Sequence, residues 1–326
     1  MKKIILSGMR PTGKLHLGHL VGALDNWTKL QEEYQCFFMS ADWHALMSEY
    51  EDTSELSSNI IDNVIDWLSV GIDPEKSVIF IQSEVPEHLK LYMVFSCLTP
   101  LGLLERCPTY KEQMREVKMR NLNTYGFLGY PVLQAADILL YKAEKVPVGK
   151  DQLPHLELTR EIARLFNNLY KKNIFPYPDA ILTQTPKLLG LDGRKMSKSY
   201  LNTINLSDEP SVITKKISTM FTDPKRVKLV DMGHPDTCNV FSYYSTFVPK
   251  LKDEACDWCM GAKVGCVECK KMLAENIIDR IAPIQEKRKE LSKDKDRIRK
   301  ILDQGRGEAS SFAAGTMKEV LKAINL

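Results

Sequence analysis

Two histidines, His16 and His19, stand three apart with Gly18 between them in the stretch GKLHLGHLVGAL, shortly after the apolar run Ile4-Ile5-Leu6. An apolar run, the turn-forming Pro11-Thr12-Gly13 and a helical apolar pattern read as a strand, a turn and the first turn of a helix. Such a helix start attracts phosphate, because its amide N–H groups are unpaired and the helix dipole is positive there. Imidazoles at i and i+3 lie on one side and can donate N–H to phosphate oxygens. Gly18, lacking a side chain, lets a flat group approach the backbone. Far downstream, Gly193-Arg194-Lys195-Met196-Ser197-Lys198-Ser199 brackets a small hydroxyl with two lysines, in a loop too polar for a core. Either motif alone is equally a capped helix or an exposed basic turn. Together they predict a nucleotide site.

Cysteines form a third group. Cys238 and Cys259-x6-Cys266-x2-Cys269 offer four soft ligands suited to zinc or an iron–sulfur cluster, and spacing does not choose between these metals. Cys256 is a rival ligand, making its own Cys-x2-Cys with Cys259. Cys36, Cys97 and Cys107 read as ordinary buried thiols. Eight cysteines in 326 residues are too dilute for a disulfide scaffold and point to a reducing compartment.

The elements that must position these groups alternate over the first two thirds of the chain. Ile4–Leu6, Cys36–Met39 and Val78–Gln82 read as strands, and Leu20–Glu33, Ser54–Val70 and Leu153–Asn167 as helices. Alternation of this kind predicts an α/β fold built on a Rossmann-like, doubly wound parallel sheet. Ligands of that fold sit beyond the carboxyl ends of the strands, where the loops Gly8–Gly18 and Ser40–His44 would gather. Prolines thicken over Pro176–Pro186, and after LDGRKMSKSYLN the pattern is mostly helical, so a boundary is expected near residue 205. Residues 1–205 would then hold the nucleotide site, with a helical insertion near 95–125 and the lysine loop at 193–200. Residues 206–326 would form an all-helical domain whose last helices pack back on the first. The mixed charges of Gln285–Lys300 read as a solvated helix laced with ion pairs, in preference to a nucleic-acid contact.

With 44% hydrophobic residues the chain can bury a full core, and with a net charge of +3 any binding to nucleic acid must use a local basic surface. MKKIILSGMR has too short an apolar run for a secretory signal, and no later run approaches a membrane span. A cytoplasmic protein without a membrane partner is expected.

His16-Leu17-Gly18-His19 and Lys195–Ser199 resemble the two signature sequences of class I aminoacyl-tRNA synthetases, which activate an amino acid with ATP and transfer it to tRNA. The likeness extends over nearly the whole chain, from LSGMRPTGKLHLGH through ADWHAL, VGIDPEKSVIFIQSEVPEH, PTYKE, GYPVLQAADILLYKAEKVPVGKDQLPHLELT and GRKMSKS to GCVECKK, and there it is similar to the tryptophanyl-tRNA synthetases. This resemblance implies L-tryptophan, ATP with Mg2+, and tRNA(Trp) as partners. It also implies a homodimer, for which the apolar Tyr92–Leu104 is an interface candidate, and an anticodon-binding role for the second domain.

The same resemblance implies catalytic roles for His16, His19, Lys195, Lys198 and Lys111. ATP contacts are implied for Arg10, Thr12, Gly18, His19, Gly149, Asp151, Lys195, Met196, Ser197 and Lys198. For tryptophan it implies Leu6, Gly8, His44, Tyr130, Gln134, Asp137, Val146, Val148 and Gln152. Indole offers one polar group, an N–H that only donates, so the pocket needs one acceptor in an apolar slot. Asp137 suits that need, sharing a helical face with Tyr130 and Gln134. Val146 and Val148 would flank the ring, Tyr130, Gln134 and Gln152 would surround the ammonium, and His44 would lie near the carboxylate. His16, His19 and Arg10 stand where many relatives carry Thr, Asn and Gln. That pattern resembles a subgroup with a 4Fe-4S cluster, for which Cys238, Cys259, Cys266 and Cys269 would be the ligands and zinc the alternative. Tyr-x3-Gln-x2-Asp is also similar to the pocket of tyrosyl-tRNA synthetases, and a non-catalytic paralogue binding nucleotide or RNA is the reading from another class. VPVGKDQLPHLELTR and the cysteine-rich segment favour tryptophan.

Overall fold

Strands β1 (Ile4–Met9), β2 (Gln35–Ser40), β3 (Ser77–Ile81), β4 (Lys145–Val148) and β5 (Asp179–Leu182) form a parallel sheet in the order β3-β2-β1-β4-β5. The computed structural model describes residues 2–111, 122–182 and 188–326. Helices α1 (Leu17–His19), α2 (Asp25–Glu33), α3 (Asp42–Glu49), α4 (Leu56–Val70), α5 (Glu87–Leu98), α6 (Leu101–Glu105), α7 (Tyr125–Leu140) and α8 (Leu153–Leu169) connect the strands. They are followed by α9 (Pro210–Ser218), α10 (Asn239–Phe247), α11 (Lys252–Met260), α12 (Cys266–Leu291) and α13 (Lys295–Ala323).

Successive strand side chains face opposite ways, so each strand feeds two cores. Ile5, Cys36, Phe38 and Ile79 pack with Trp27 of α2, Trp67 of α4 and Ile277 of α12. Leu6, Phe37, Met39 and Phe80 pack with Phe95 of α5, Leu133 of α7, Phe166 of α8 and Ala313 of α13. Burial on both faces is why these strands read as unbroken apolar runs. Helix α13 lies against β3: a Cβ added at Gly305 would fall 1.9 Å from the Ile79 carbonyl oxygen, so only glycine permits the approach. No helix among the described residues is long and apolar enough to cross a membrane.

Several expectations need correction. β4 and β5 escape the sequence pattern, since KVPV carries a proline that argues against a strand. Pro147 is tolerated because β4 pairs with β1 only at Ile5↔Lys145 and has parted from it by that point. The helix expected over Leu20–Glu33 is interrupted by a π turn at Leu20–Leu24. The turn keeps Leu20, Val21 and Leu24 in the core and leaves the small Gly22 and Ala23 beside a cavity. Cys97 is exposed, unlike Cys36 and Cys107. Of the helical insertion near 95–125, α5, α6 and the start of α7 are described, while 112–121 lies outside the described residues, as does Pro186.

Gln285–Lys300 is not one solvated helix either, because α12 ends at Leu291 and α13 starts at Lys295. Two of its residues turn inward. Gln285 Nε2 donates to the carbonyls of Leu206 and Asp208 at 2.9 and 2.8 Å. Arg288 donates to Asp62 on α4, and its Nε lies 3.1 Å from Asp66 Oδ1 without hydrogen-bond alignment. Burial pushes the Asp66 carboxyl up to about 7 despite the guanidinium beside it. Arg288→Ala would strip the buried Asp66 carboxyl of the largest opposite charge acting on it and leave Asp62 without its guanidinium partner, and is expected to cost about 3 kcal/mol in urea denaturation. A loss of only about 0.5 kcal/mol, the range of a surface change, would refute the claim.

Candidate active site

Past their single shared pair, β1 and β4 diverge at the place where strand order reverses, which is where open α/β sheets bind ligands. A cavity of about 340 Å³ fills the gap. It is lined by Leu6 and Gly8 of β1, Val146 and Val148 of β4, His44 of α3, Tyr130, Gln134 and Asp137 of α7, and Gln152 just before α8. All nine residues expected around an amino acid therefore surround one space. Of the residues expected around ATP, Arg10 and Gly149 also line it.

Asp137 is 2% exposed at the cavity wall. Its Oδ1 accepts from Gln82 Nε2 at 2.8 Å and His88 Nδ1 at 2.7 Å, and its Oδ2 accepts from His44 Nε2 at 2.7 Å. Burial alone would raise its pKa, but the hydrogen bonds from His44 and His88 overrule it and hold the carboxyl at about 2. The surroundings of the carboxylate are thus polar, where the sequence suggests an apolar slot. A carboxylate offers about four acceptor sites, so with three taken, one on Oδ2 remains for a ligand's N–H. His88, fully buried, also meets the Tyr141 hydroxyl through Nε2 at 2.9 Å. Nothing local in the sequence marks Gln82 or His88.

A second buried network joins α7 to α8. The Tyr130 hydroxyl lies 2.9 Å from His155 Nε2, and Gln152 Oε1 lies 2.9 Å from His155 Nδ1. Sequence reading passed over His155, although residues at i and i+3 on a helix start face one another.

The two motifs meet through backbone pairing. Leu17 N donates to the Ile204 carbonyl and Leu206 N to the Leu15 carbonyl, both at 2.9 Å, so His16 and Asn205 form an antiparallel bridge. The lysine loop is carried onto the histidine turn, where Lys198 Nζ donates to the Gly13 carbonyl at 2.8 Å. Met196 is buried, and a Cβ on Gly18 would lie 3.6 Å from its sulfur and 2.9 Å from His16 Cε1, so Gly18 makes room for the imidazole as well. Asn202, also missed in sequence, braces the loop by accepting from Ser197 N and donating to Asp192 and to the Lys195 carbonyl. Lys195 and Lys111 are exposed, and Thr12 and Asp151 lie outside the cavity wall.

His16 caps α1, its Nδ1 accepting from Gly18 N at 3.1 Å, while His19 Nδ1 accepts from His16 N at 3.1 Å. With Nδ1 accepting in both rings, each neutral imidazole carries its proton on Nε2 and keeps it as a donor. The rings stand 3.8 Å apart. Burial, reinforced by Lys198, holds His16 at about 4, and burial with His16 and Lys198 holds His19 well below its ordinary value. A depressed folded pKa means that stability from the neutral form is complete above 6.5 and is lost as pH falls toward 4. Asparagine still caps a helix but does not titrate. His16→Asn should therefore flatten the fall in melting temperature between pH 6.5 and 4, and an unchanged slope would break the link.

Cys238, Cys256, Cys259, Cys266 and Cys269 are partly buried thiols outside any disulfide. Burial pushes Cys269 up to about 11, with Cys238 and Cys259 adding to the rise. Cys259 is raised by burial, then by Cys238 and Cys266. Among the described residues, no three or more His, Cys, Asp or Glu side chains are gathered closely enough to hold a metal ion.

Over residues 2–282 the chain matches the family described as tRNA synthetases class I (W and Y). It is 52% identical over 327 residues to the tryptophan–tRNA ligase of Thermotoga maritima, with 99% of each chain covered. To that of Aquifex aeolicus it is 44% identical, again with 99% of each covered. The crystal structure of tryptophanyl-tRNA synthetase from Campylobacter jejuni, complexed with ADP and tryptophan, aligns with a TM-score of 0.88 at 35% identity, covering 99% of this chain and 100% of that one.

Proposed function

We propose a division of labour within the site from the premise that this chain belongs to the class I tRNA synthetases of tryptophan and tyrosine. Its reaction is that of a tryptophan–tRNA ligase: tryptophan is activated with ATP to the adenylate, pyrophosphate leaves, and the tryptophanyl group passes to tRNA(Trp). The nucleophile is the amino acid's own carboxylate, already ionised at neutral pH, so the protein need supply no general base. It must instead stabilise charge on the transferring phosphoryl group and the departing pyrophosphate, with magnesium arriving on the phosphates as part of the substrate. In our reading the Nε2–H groups of His16 and His19, with Lys198, Lys195 and Lys111, are the donors to those phosphates. Arg10, Thr12, Gly18, Gly149, Asp151, Met196 and Ser197 complete the ATP site. Asp137 accepts the indole N–H, Val146 and Val148 flank the ring beside Leu6 and Gly8, and Tyr130, Gln134 and Gln152 surround the ammonium. His44, engaged with Asp137, acts from that position on the substrate.

The observation that carries this reading is the His16↔Asn205 bridge with Lys198 on Gly13, which sets both phosphate-handling motifs next to a pocket with one open carboxylate acceptor. ATP–pyrophosphate exchange tests it. Tryptophan should drive exchange and tyrosine should not; exchange driven equally by tyrosine would overturn the pocket assignment.

Finer features belong to the same proposal. The boundary near residue 205, with 206–326 as an anticodon-binding domain, is supported by the change to helices α9–α12 after the last strand. A homodimer through Tyr92–Leu104 is supported by Met93 and Leu101, each 62% exposed, and light scattering giving a monomer would overturn it. The use of tRNA supports the cytoplasm as its location. Cys238, Cys259, Cys266 and Cys269 offer four thiols whose donor chemistry suits a 4Fe-4S cluster, and Cys238 lies near enough to Cys259 and Cys269 to add to the rise in their pKa. Such a group would tie the residues before α10 to α11 and the start of α12. A broad visible absorption band after anaerobic purification would support iron, whereas zinc or no metal on elemental analysis would overturn it.

A further inference from the structure

We propose that His155 is a positioning residue for the substrate's ammonium, its ring orienting the Tyr130 hydroxyl and the Gln152 carbonyl oxygen as a pair of acceptors. The inference rests on the reading that Tyr130 and Gln152 meet that ammonium. A primary ammonium has three donors and no acceptor, so its site must present oxygens with lone pairs outward and hydroxyl protons turned away. An unconstrained tyrosine hydroxyl can rotate to present its proton instead. His155 removes that freedom. It is 1% exposed, its Nδ1 lies 2.9 Å from Gln152 Oε1, and its Nε2 lies 2.9 Å from the Tyr130 oxygen. Gln152 Oε1 can only accept, so His155 Nδ1 must donate to it. Burial, with His44 adding, holds His155 down to about 4 and keeps the ring neutral, with a single N–H. Nε2 is then an acceptor, and the Tyr130 proton must point to it. Burial also raises the Tyr130 phenol, which keeps that proton on oxygen. The Tyr130 ring meets His155 edge-on, with centroids 5.2 Å apart at 88°, so neither ring can turn without losing packing. Tyr130 and Gln152 both line the cavity, and one imidazole sets both.

Three probes separate this role from a purely structural one: L-tryptophan, tryptamine, which keeps the ammonium, and indole-3-propionate, which lacks it. Their affinities for the full chain are measured by calorimetry in the wild type and in His155→Ala, His155→Gln and Tyr130→Phe. His155→Ala should weaken tryptophan and tryptamine about ten-fold, the usual scale for a hydrogen bond to a charged group, and leave indole-3-propionate unchanged. His155→Gln guards against a folding defect in the alanine variant and should show the same selectivity for the ammonium-bearing probes. Equal weakening of all three probes in both His155 variants would overturn the role, as would no weakening of any. If Tyr130→Phe binds tryptamine as before, the ammonium reading itself fails and the inference with it. If Tyr130→Phe is selectively weakened and neither His155 variant is, only the role of His155 fails.

Discussion

Replacing Lys198 by alanine is expected to slow formation of the adenylate ~10²–10³-fold, the loss seen when one preorganised oxyanion donor is removed, with tryptophan binding nearly unchanged. The geometry makes this side chain specific among the basic residues. Its Nζ reaches the Gly13 carbonyl, on the turn that precedes the two imidazoles, so the charge is already placed before ATP arrives. Donors fixed in advance need no reorganisation as charge develops, which is the source of their large effect. Burial, then the nearby Arg10, lowers Lys198 to about 8, so in the free protein the lysine loses its charge as pH rises through that value and apparent ATP affinity should fall with it. Lys195→Ala should likewise slow activation more than it weakens tryptophan. Single-turnover kinetics beside equilibrium binding decides the matter: a parallel loss of both would show that the loop shapes the pocket and does not act on the phosphates.

Asp137→Asn is expected to lower kcat/KM for tryptophan by at least ~100-fold, since a buried site built around a hydrogen bond loses that much when the partner is wrong. The carboxylate receives three donors, from Gln82, His88 and His44. An amide has one acceptor oxygen and turns an NH2 toward one of those donors, so either a buried N–H meets an N–H or a histidine must change tautomer and give up its present partners. Stability should fall by ~2–3 kcal/mol for the same reason. Pyrophosphate exchange and thermal denaturation measure the two effects. A variant with wild-type kcat/KM would remove Asp137 from substrate recognition and leave it as a structural carboxylate.

Much of the fold is legible in one dimension because its cause is local. Ile4–Leu6, Cys36–Met39 and Val78–Gln82, apart from its closing glutamine, are apolar on both faces because the sheet is covered on both sides, and such runs are visible without coordinates. The placing of Tyr130, Gln134 and Asp137 on one wall follows from helical spacing alone. β4 was hidden by Pro147, whose penalty vanishes only because the neighbouring strand has already diverged. The inward turn of Gln285 and Arg288 was hidden in a run that looks solvated, because what neutralises Arg288 sits on α4, on a distant part of the chain.

Read alone, the sequence determined the fold class, the two motifs for which phosphate contacts are proposed, and one acidic residue beside a tyrosine and a glutamine on a helix, since these depend on residue type and on repeats of a few positions. Tertiary structure alone decided that the two motifs lie side by side, through the bridge between His16 and Asn205 and the reach of Lys198 to Gly13. It also decided that Asp137 is held by two histidines and a glutamine, and that His155 meets both the Tyr130 hydroxyl and the Gln152 amide. The physical reason is range. Periodicity and turn chemistry act between near neighbours, whereas a hydrogen bond requires two atoms about 3 Å apart, and for residues far apart in the chain only the packed sheet and its helices impose that distance.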